Sequence, residues 1–365
     1  MLDHHTRFKQ KFYLLLLVIL IVPPLGLLYY EYRAEMADQN TVTIPKFQDH
    51  TETNAKLSLK HIFRLRGNVK QIELSKDGKT AYVCADSRGV YIVDLQKPLK
   101  PKIISQFKYF KNSYDKARNI ALSKDQSLLF VRDAQAGIYS VDISNPTEPI
   151  LLTTYASESP MSGFVLSADA QRLYISHTDG LTIADIRSHD QIIPIASLKQ
   201  KKGYLGLVET ADDLLYLLNN YGVDIVDISS IQEPRLVGKF DSLGRPEKIM
   251  LSNRKTRAYL SCGNAGVEII DLNNPMSPKP AGSFTTAGFA NSTSVSKNGD
   301  TIYVSNSNND IEIVDVTDPD NPKLRHRIHE DKTQPRQVLS STLSIDEKIL
   351  YIAHGTLGMA IVELP

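Results

Sequence analysis

Nine histidines, two cysteines and 41 acidic residues are the raw material for chemistry in this 365-residue chain. Acid–base or metal-assisted hydrolysis needs two or three carboxylates or imidazoles that converge. The sequence offers such groups at one recurrent place. Three residues beyond each of seven similarly placed aromatics (Tyr82, Phe130, Tyr174, Tyr216, Tyr259, Tyr303, Tyr351) stand Ala85, Asp133, His177, Asn219, Cys262, Asn306 and His354. Most are polar, and Asp133, His177 and His354 are the candidates for a lactonase- or hydrolase-like site. The histidines belong to distant repeats, so a shared metal ion is not expected. A lone turn histidine reads as solvated.

A second set is cationic. Arg118, Arg245 and Arg336 each sit at or just before the first strand of a repeat. Brought together they could hold a carboxylate, a phosphate or an acidic peptide; ordinary solvated loops are the competing reading. The polar run from Asn306 to Asp310, with Asp318 and Asp320, hints at calcium. Its spacing is not that of an EF-hand loop, and the two groups fall at opposite ends of a strand. No metal and no cofactor is expected. Cys84 and Cys262 belong to distant repeats, beyond disulfide reach, and are expected as buried or half-buried thiols.

Other classes are disfavoured by what is missing. There is no Gly-x-Ser-x-Gly elbow, His-Glu-x-x-His helix or phosphate loop. Lys and Arg number 42 against 41 acids, a net charge of +1, which argues against a nucleic-acid binder. The absence of Trp argues against a sugar or quinone site.

The elements that must position these groups come from an internal repeat. A strand of the type Val-x-Ile-Val-Asp recurs seven times, its acidic residue at Asp94, Asp142, Asp185, Asp227, Asp271, Asp315 and Glu363, 42 to 48 residues apart. Before each lie a short apolar strand, a turn, and a strand around the aromatic. After each comes a proline-containing turn and a further strand. These four strands are called a, b, c and d. Four short antiparallel strands per repeat make a propeller blade, and seven blades close a ring. The last repeat stops after strand c, while an orphan strand (57–65) precedes the first. Residues 57–65 are therefore expected to complete the seventh blade. The repeated acids read as turn formers: a carboxylate before a turn accepts the N–H two residues on.

The c–d junctions carry a resemblance. Ile143-Ser-Asn-Pro-Thr-Glu-Pro149, Leu272-Asn-Asn-Pro-Met-Ser-Pro278 and Val316-Thr-Asp-Pro-Asp-Asn-Pro322 resemble the LVIVD-repeat β-propeller family. The third repeat departs from the pattern, with Asp185-Ile-Arg-Ser-His-Asp-Gln-Ile-Ile-Pro194. The resemblance covers about residues 57–365. It implies an all-β, seven-bladed propeller, mostly surface-exposed or extracytoplasmic, with no agreed activity.

Residues 12–30 are uncharged and span roughly 28 Å as a helix, about one hydrocarbon core. Arg7, Lys9 and Lys11 precede them, so the positive-inside rule puts 1–11 in the cytoplasm and the propeller outside. The expectation is a single-pass signal anchor in a bacterial inner membrane, followed by a polar tether (31–56). Secretion after signal-peptide cleavage is the alternative. The function expected is a binding or scaffold module for a protein, peptide or cell-envelope ligand, through the end of the ring carrying the b–c turns and d–a connections. The alternative is a propeller enzyme with its site at the channel mouth.

Overall fold

The computed structural model describes residues 61–108, 116–134, 137–201, 203–210, 213–308, 310–328 and 338–364. The expected membrane span, the tether and Arg336 lie outside these residues. Among the described residues no helix is long and apolar enough to cross a membrane.

Seven antiparallel sheets of four strands each make the blades of a propeller. Strands a of the seven blades are Gln71–Leu74, Ala117–Leu122, Met161–Leu166, Gly206–Glu209, Lys248–Leu251, Ala290–Val295 and Ser340–Leu343. Each touches the strand a of the next blade, and Ser340–Leu343 touches Gln71–Leu74, so the seven form a closed inner ring. Strand d of the seventh blade is His61–Phe63, which pairs antiparallel with Met359–Glu363. The first and last described strands thus share one sheet, and neither strand c of that blade nor the ring has an open edge there.

Strand c explains the repeat. In Val90–Asp94 the first four residues are buried and only the acid reaches the surface, and the same pattern recurs in Ile138–Asp142, Val267–Asp271 and Ile311–Asp315. Each blade is sandwiched between two others, so both faces of an inner strand are dry and alternation gives way to a continuous apolar run. The cores lie between blades. Ile72, Val83 and Val93 of the first pack on Tyr351 and Ile361 of the seventh, while Tyr82, Cys84 and Ile92 pack on Ile120, Leu129 and Val141 of the second. All seven strand-b aromatics are buried within these layers. A register shift sits in the c–d pairing of the first six blades, as between Ile92 and Val93. Such a bulge increases local twist just before the turn.

Side chains also stitch the inner ring. Strand a offers its outer backbone groups to the channel side, where no strand pairs with them. The Gln71 carboxamide supplies the missing partners for both the N–H and the C=O of Ile120 in the next blade, each at 3.1 Å. Asn291 and Ser294 donate to the carbonyls of Val338 and Ser341. Ser340 and Thr342 donate to those of Lys70 and Ile72, at 3.0 and 2.8 Å, across the junction of last and first blades. The corresponding residues in blades three to five are Gly163 and Val165, Gly206 and Val208, and Lys248 and Met250.

Candidate functional site

The two ends of the ring are built differently. At the end carrying the a–b and c–d turns, one device repeats. In all six of Asp94, Asp142, Asp185, Asp227, Asp271 and Asp315 the carboxylate accepts the N–H two residues on, at 2.7–2.9 Å. These acids are engaged in local turns. Glu363 occupies the same place in the seventh blade. The a–b turns repeat a Ser–Asp pair, as in Ser75–Asp77 and Ser123–Asp125.

The b–c turns and d–a connections make the other end, where the blades differ. The ring of residues three beyond the aromatics is buried throughout: Asp133, His177, Asn219, Asn306 and His354 are all 5% exposed or less. The solvated histidines expected from sequence are corrected here. The d–a connections leaving the third and fourth blades fold over their b–c turns: Tyr204 N donates to the His177 carbonyl at 2.9 Å and Ser242 N to that of Tyr221 at 3.0 Å. The polar side chains are used internally. Asp133 accepts from Lys116 N at 2.6 Å, and Asn219 and Asn306 accept N–H groups of their own turns. His177 lies between Ser157 and Thr182, and burial lowers its pKa. Among the described residues no group of three metal-ligating side chains comes together.

A second buried polar layer is absent from the sequence reading. In four blades the second residue of the Val-x-Ile-Val-Asp pattern pins the connection arriving at its blade. The Tyr91 hydroxyl donates to Arg66 O, and that of Tyr204 donates to Asp224. Glu268 accepts Leu243 N at 3.0 Å. Glu312, fully buried, accepts Ala287 N and faces Arg327 at 2.8 Å. Burial raises the Glu312 carboxyl while Arg327 opposes it; burial pushes Glu268 up to about 7, its Leu243 bond opposing. The signal was present: Val-Glu-Ile-Ile-Asp and Ile-Glu-Ile-Val-Asp place an acid inside an otherwise apolar strand.

The arginines have separate partners. Arg118 faces Asp86 of the first blade's b–c turn at 3.6 Å. Arg245 faces Glu247 at 3.6 Å and donates to Asn220 at 3.2 Å. Around Arg245 lie Tyr221, 46% exposed, and Leu243, 43% exposed. Cys84 and Cys262 are free and buried in separate interblade cores. Burial pushes the Cys84 thiol up to about 12 and raises that of Cys262 as well.

The LVIVD repeat family model matches residues 116–157 and 287–329. The chain carries LVIVD repeats. The matched spans are the second and sixth blades of the ring, each from just before strand a to the end of strand d. Among solved structures, a chain in a crystal structure of the mitotic checkpoint complex is similar at a TM-score of 0.67 and 15% identity, over 89% of this chain and 99% of that one. A functionally unknown protein from Desulfotomaculum acetoxidans DSM 771 is similar at 0.58 and 15%, over 78% and 89%. At such identity these likenesses speak to the propeller fold alone. No curated protein matches the chain in sequence.

Proposed function

We propose that this LVIVD-repeat propeller is a membrane-anchored, extracytoplasmic binding module that engages a protein or envelope polymer through its b–c and d–a end. The observation that carries the reading is the exposed set Tyr221, Leu243 and Arg245, gathered from one b–c turn and the connection leaving the same blade. Tyr and Arg beside an aliphatic side chain are the residue types that dominate binding energy at protein interfaces. The opposite end, with its repeating Asp and Ser–Asp turns, fits a structural role. The apolar, uncharged residues 12–30 behind a basic flank support the anchor.

The test places a photo-crosslinkable residue at Leu243 in the full-length chain, and at Ile345 on the opposite end as control. The reading expects a discrete crosslinked product from position 243 that fades in a Tyr221→Ala, Arg245→Ala background. Equal products from both positions would overturn it. A reporter fused after Pro365 should be active only in its periplasmic form; activity only in the cytoplasmic form reverses the orientation.

A further inference from the structure

The rim of the channel between the first and second blades gathers cations from three segments. Lys70 precedes strand a of the first blade, and its N–H is bonded to Cys84 O at 2.8 Å. Two residues on from Cys84 stands Asp86, whose carbonyl accepts Ala117 N at 3.1 Å. Lys116 and Arg118 flank Ala117, and Arg132 lies on the neighbouring strand b. Lys70 lies within electrostatic reach of Arg118, Lys116 and Asp86, and Arg132 within reach of Arg118 and Asp133, so among the described residues four cations meet two carboxylates, a formal excess of two positive charges.

The cluster is strained as well as cationic. Asp86 has φ 53°, a left-handed backbone. The equivalent positions in the fifth and seventh blades are Gly263 (φ 57°) and Gly355 (φ 51°), and they make the same bridge to the next strand a, to Ala290 and Val69. Asp86 therefore occupies a glycine position, where a side chain costs stability. Its carboxylate faces Arg118. The Arg132 guanidinium is tied to Asn119 Oδ1 and Met161 O. Lys70 is half-buried; burial first, then the Arg118 charge, lowers its pKa, with Asp86 opposing. Like charges are held close in a partly dry place, which is costly until an anion arrives.

We infer that Lys70, Lys116 and Arg118 form a binding site for a phosphate dianion, either free or as a terminal phosphate monoester, with Asp86 positioning Arg118. The excess of two positive charges matches a dianion, and an Arg fork with two ammonium groups is suited to a tetrahedral oxyanion. This inference deepens the binding-module reading, since the site lies on the same end of the ring.

Calorimetric titration of the full-length chain with inorganic phosphate at low ionic strength tests it. Saturable binding is expected, weakened at least tenfold by Lys70→Ala or Arg118→Ala and unchanged by Lys97→Ala in a c–d turn at the opposite end of the ring. A phosphodiester probe, dimethyl phosphate, should bind at least tenfold more weakly because it carries a single charge. No saturable binding, equal binding by both probes, or equal binding by wild type and Arg118→Ala, which would mark an adventitious ion only, overturns the site. Asp86→Gly controls for folding: it restores the residue found in other blades and should keep the fold while weakening phosphate binding. Phosphate affinity unchanged or raised by Asp86→Gly would refute the positioning role. Crosslinking at position 243 is scored independently, so failure here leaves the docking surface standing, and the reverse.

Discussion

Gly137 and Gly163 pose the same mutation in two environments. Gly137 closes the second blade's b–c turn with φ 117°, and an added Cβ would overlap the Tyr155 carbonyl oxygen of strand d. Gly163 lies in strand a of the third blade with ordinary backbone, and its nearest neighbour would be Ser176 Oγ at 3.5 Å. Gly137→Ala must leave the left-handed region, at roughly 1–2 kcal/mol. It must also push strand d away at the pairing of Ile138 with Tyr155, loosening one or two hydrogen bonds of about 1 kcal/mol each. The expected loss is about 2–4 kcal/mol. Gly163→Ala meets only van der Waals contact and restricts the unfolded chain, so it should be neutral or gain up to about 1 kcal/mol. Thermal and urea unfolding of both variants measure the difference. Equal effects would refute the argument that the strand-d carbonyl, and not glycine content as such, fixes this residue.

Three further outcomes follow from buried groups. Glu268 sits near pKa 7 when folded against 4.5 ordinarily, so between those values the unfolded chain gives up its proton and the folded chain keeps it. Stability is therefore fully present below pH 4.5, falls by roughly 3 kcal/mol as pH rises to 7, and is level above. Glu268→Gln should remove that slope relative to wild type in urea titrations at several pH values; parallel curves would contradict it. Ser340→Ala with Thr342→Val removes the two bonds across the last–first junction and should cost about 2–4 kcal/mol. Cys84 and Cys262 should resist iodoacetamide in the native chain and react fully in urea, read by mass spectrometry; rapid native labelling would show that the blades part.

The ring was legible because its period is written in a strand buried on both faces: Val-Ile-Val has no alternation to lose. The Asp turns were legible because their chemistry is local, a carboxylate and an N–H two residues apart. Contacts between blades were not. Lys70 and Arg118 are 48 positions apart, and nothing in either segment announces the other. His177 reads as a turn residue, and only the connection carrying Tyr204 across it makes it interior. Glu268 and Glu312 were written plainly as acids in apolar strands, yet the loops they hold, at Leu243 and Ala287, vary in sequence and length.

The stitching of the inner ring has a mechanical consequence. From the sixth blade through the seventh to the first and second, side chains lend hydrogen bonds to the neighbouring innermost strand. Through blades three to five, glycine, valine, methionine and lysine stand in those places. The arc that contains the joint of the last and first blades is thus the one whose innermost strands are bonded to each other by side chains, while the third, fourth and fifth blades are joined by Glu209 to Ala168 N and by Lys255 to Thr210 O. The first arc is expected to open less readily than the second. Amide exchange should be faster in Gly206–Glu209 than in Ser340–Leu343, and the reverse order would mean the first arc, not the second, is where the ring yields.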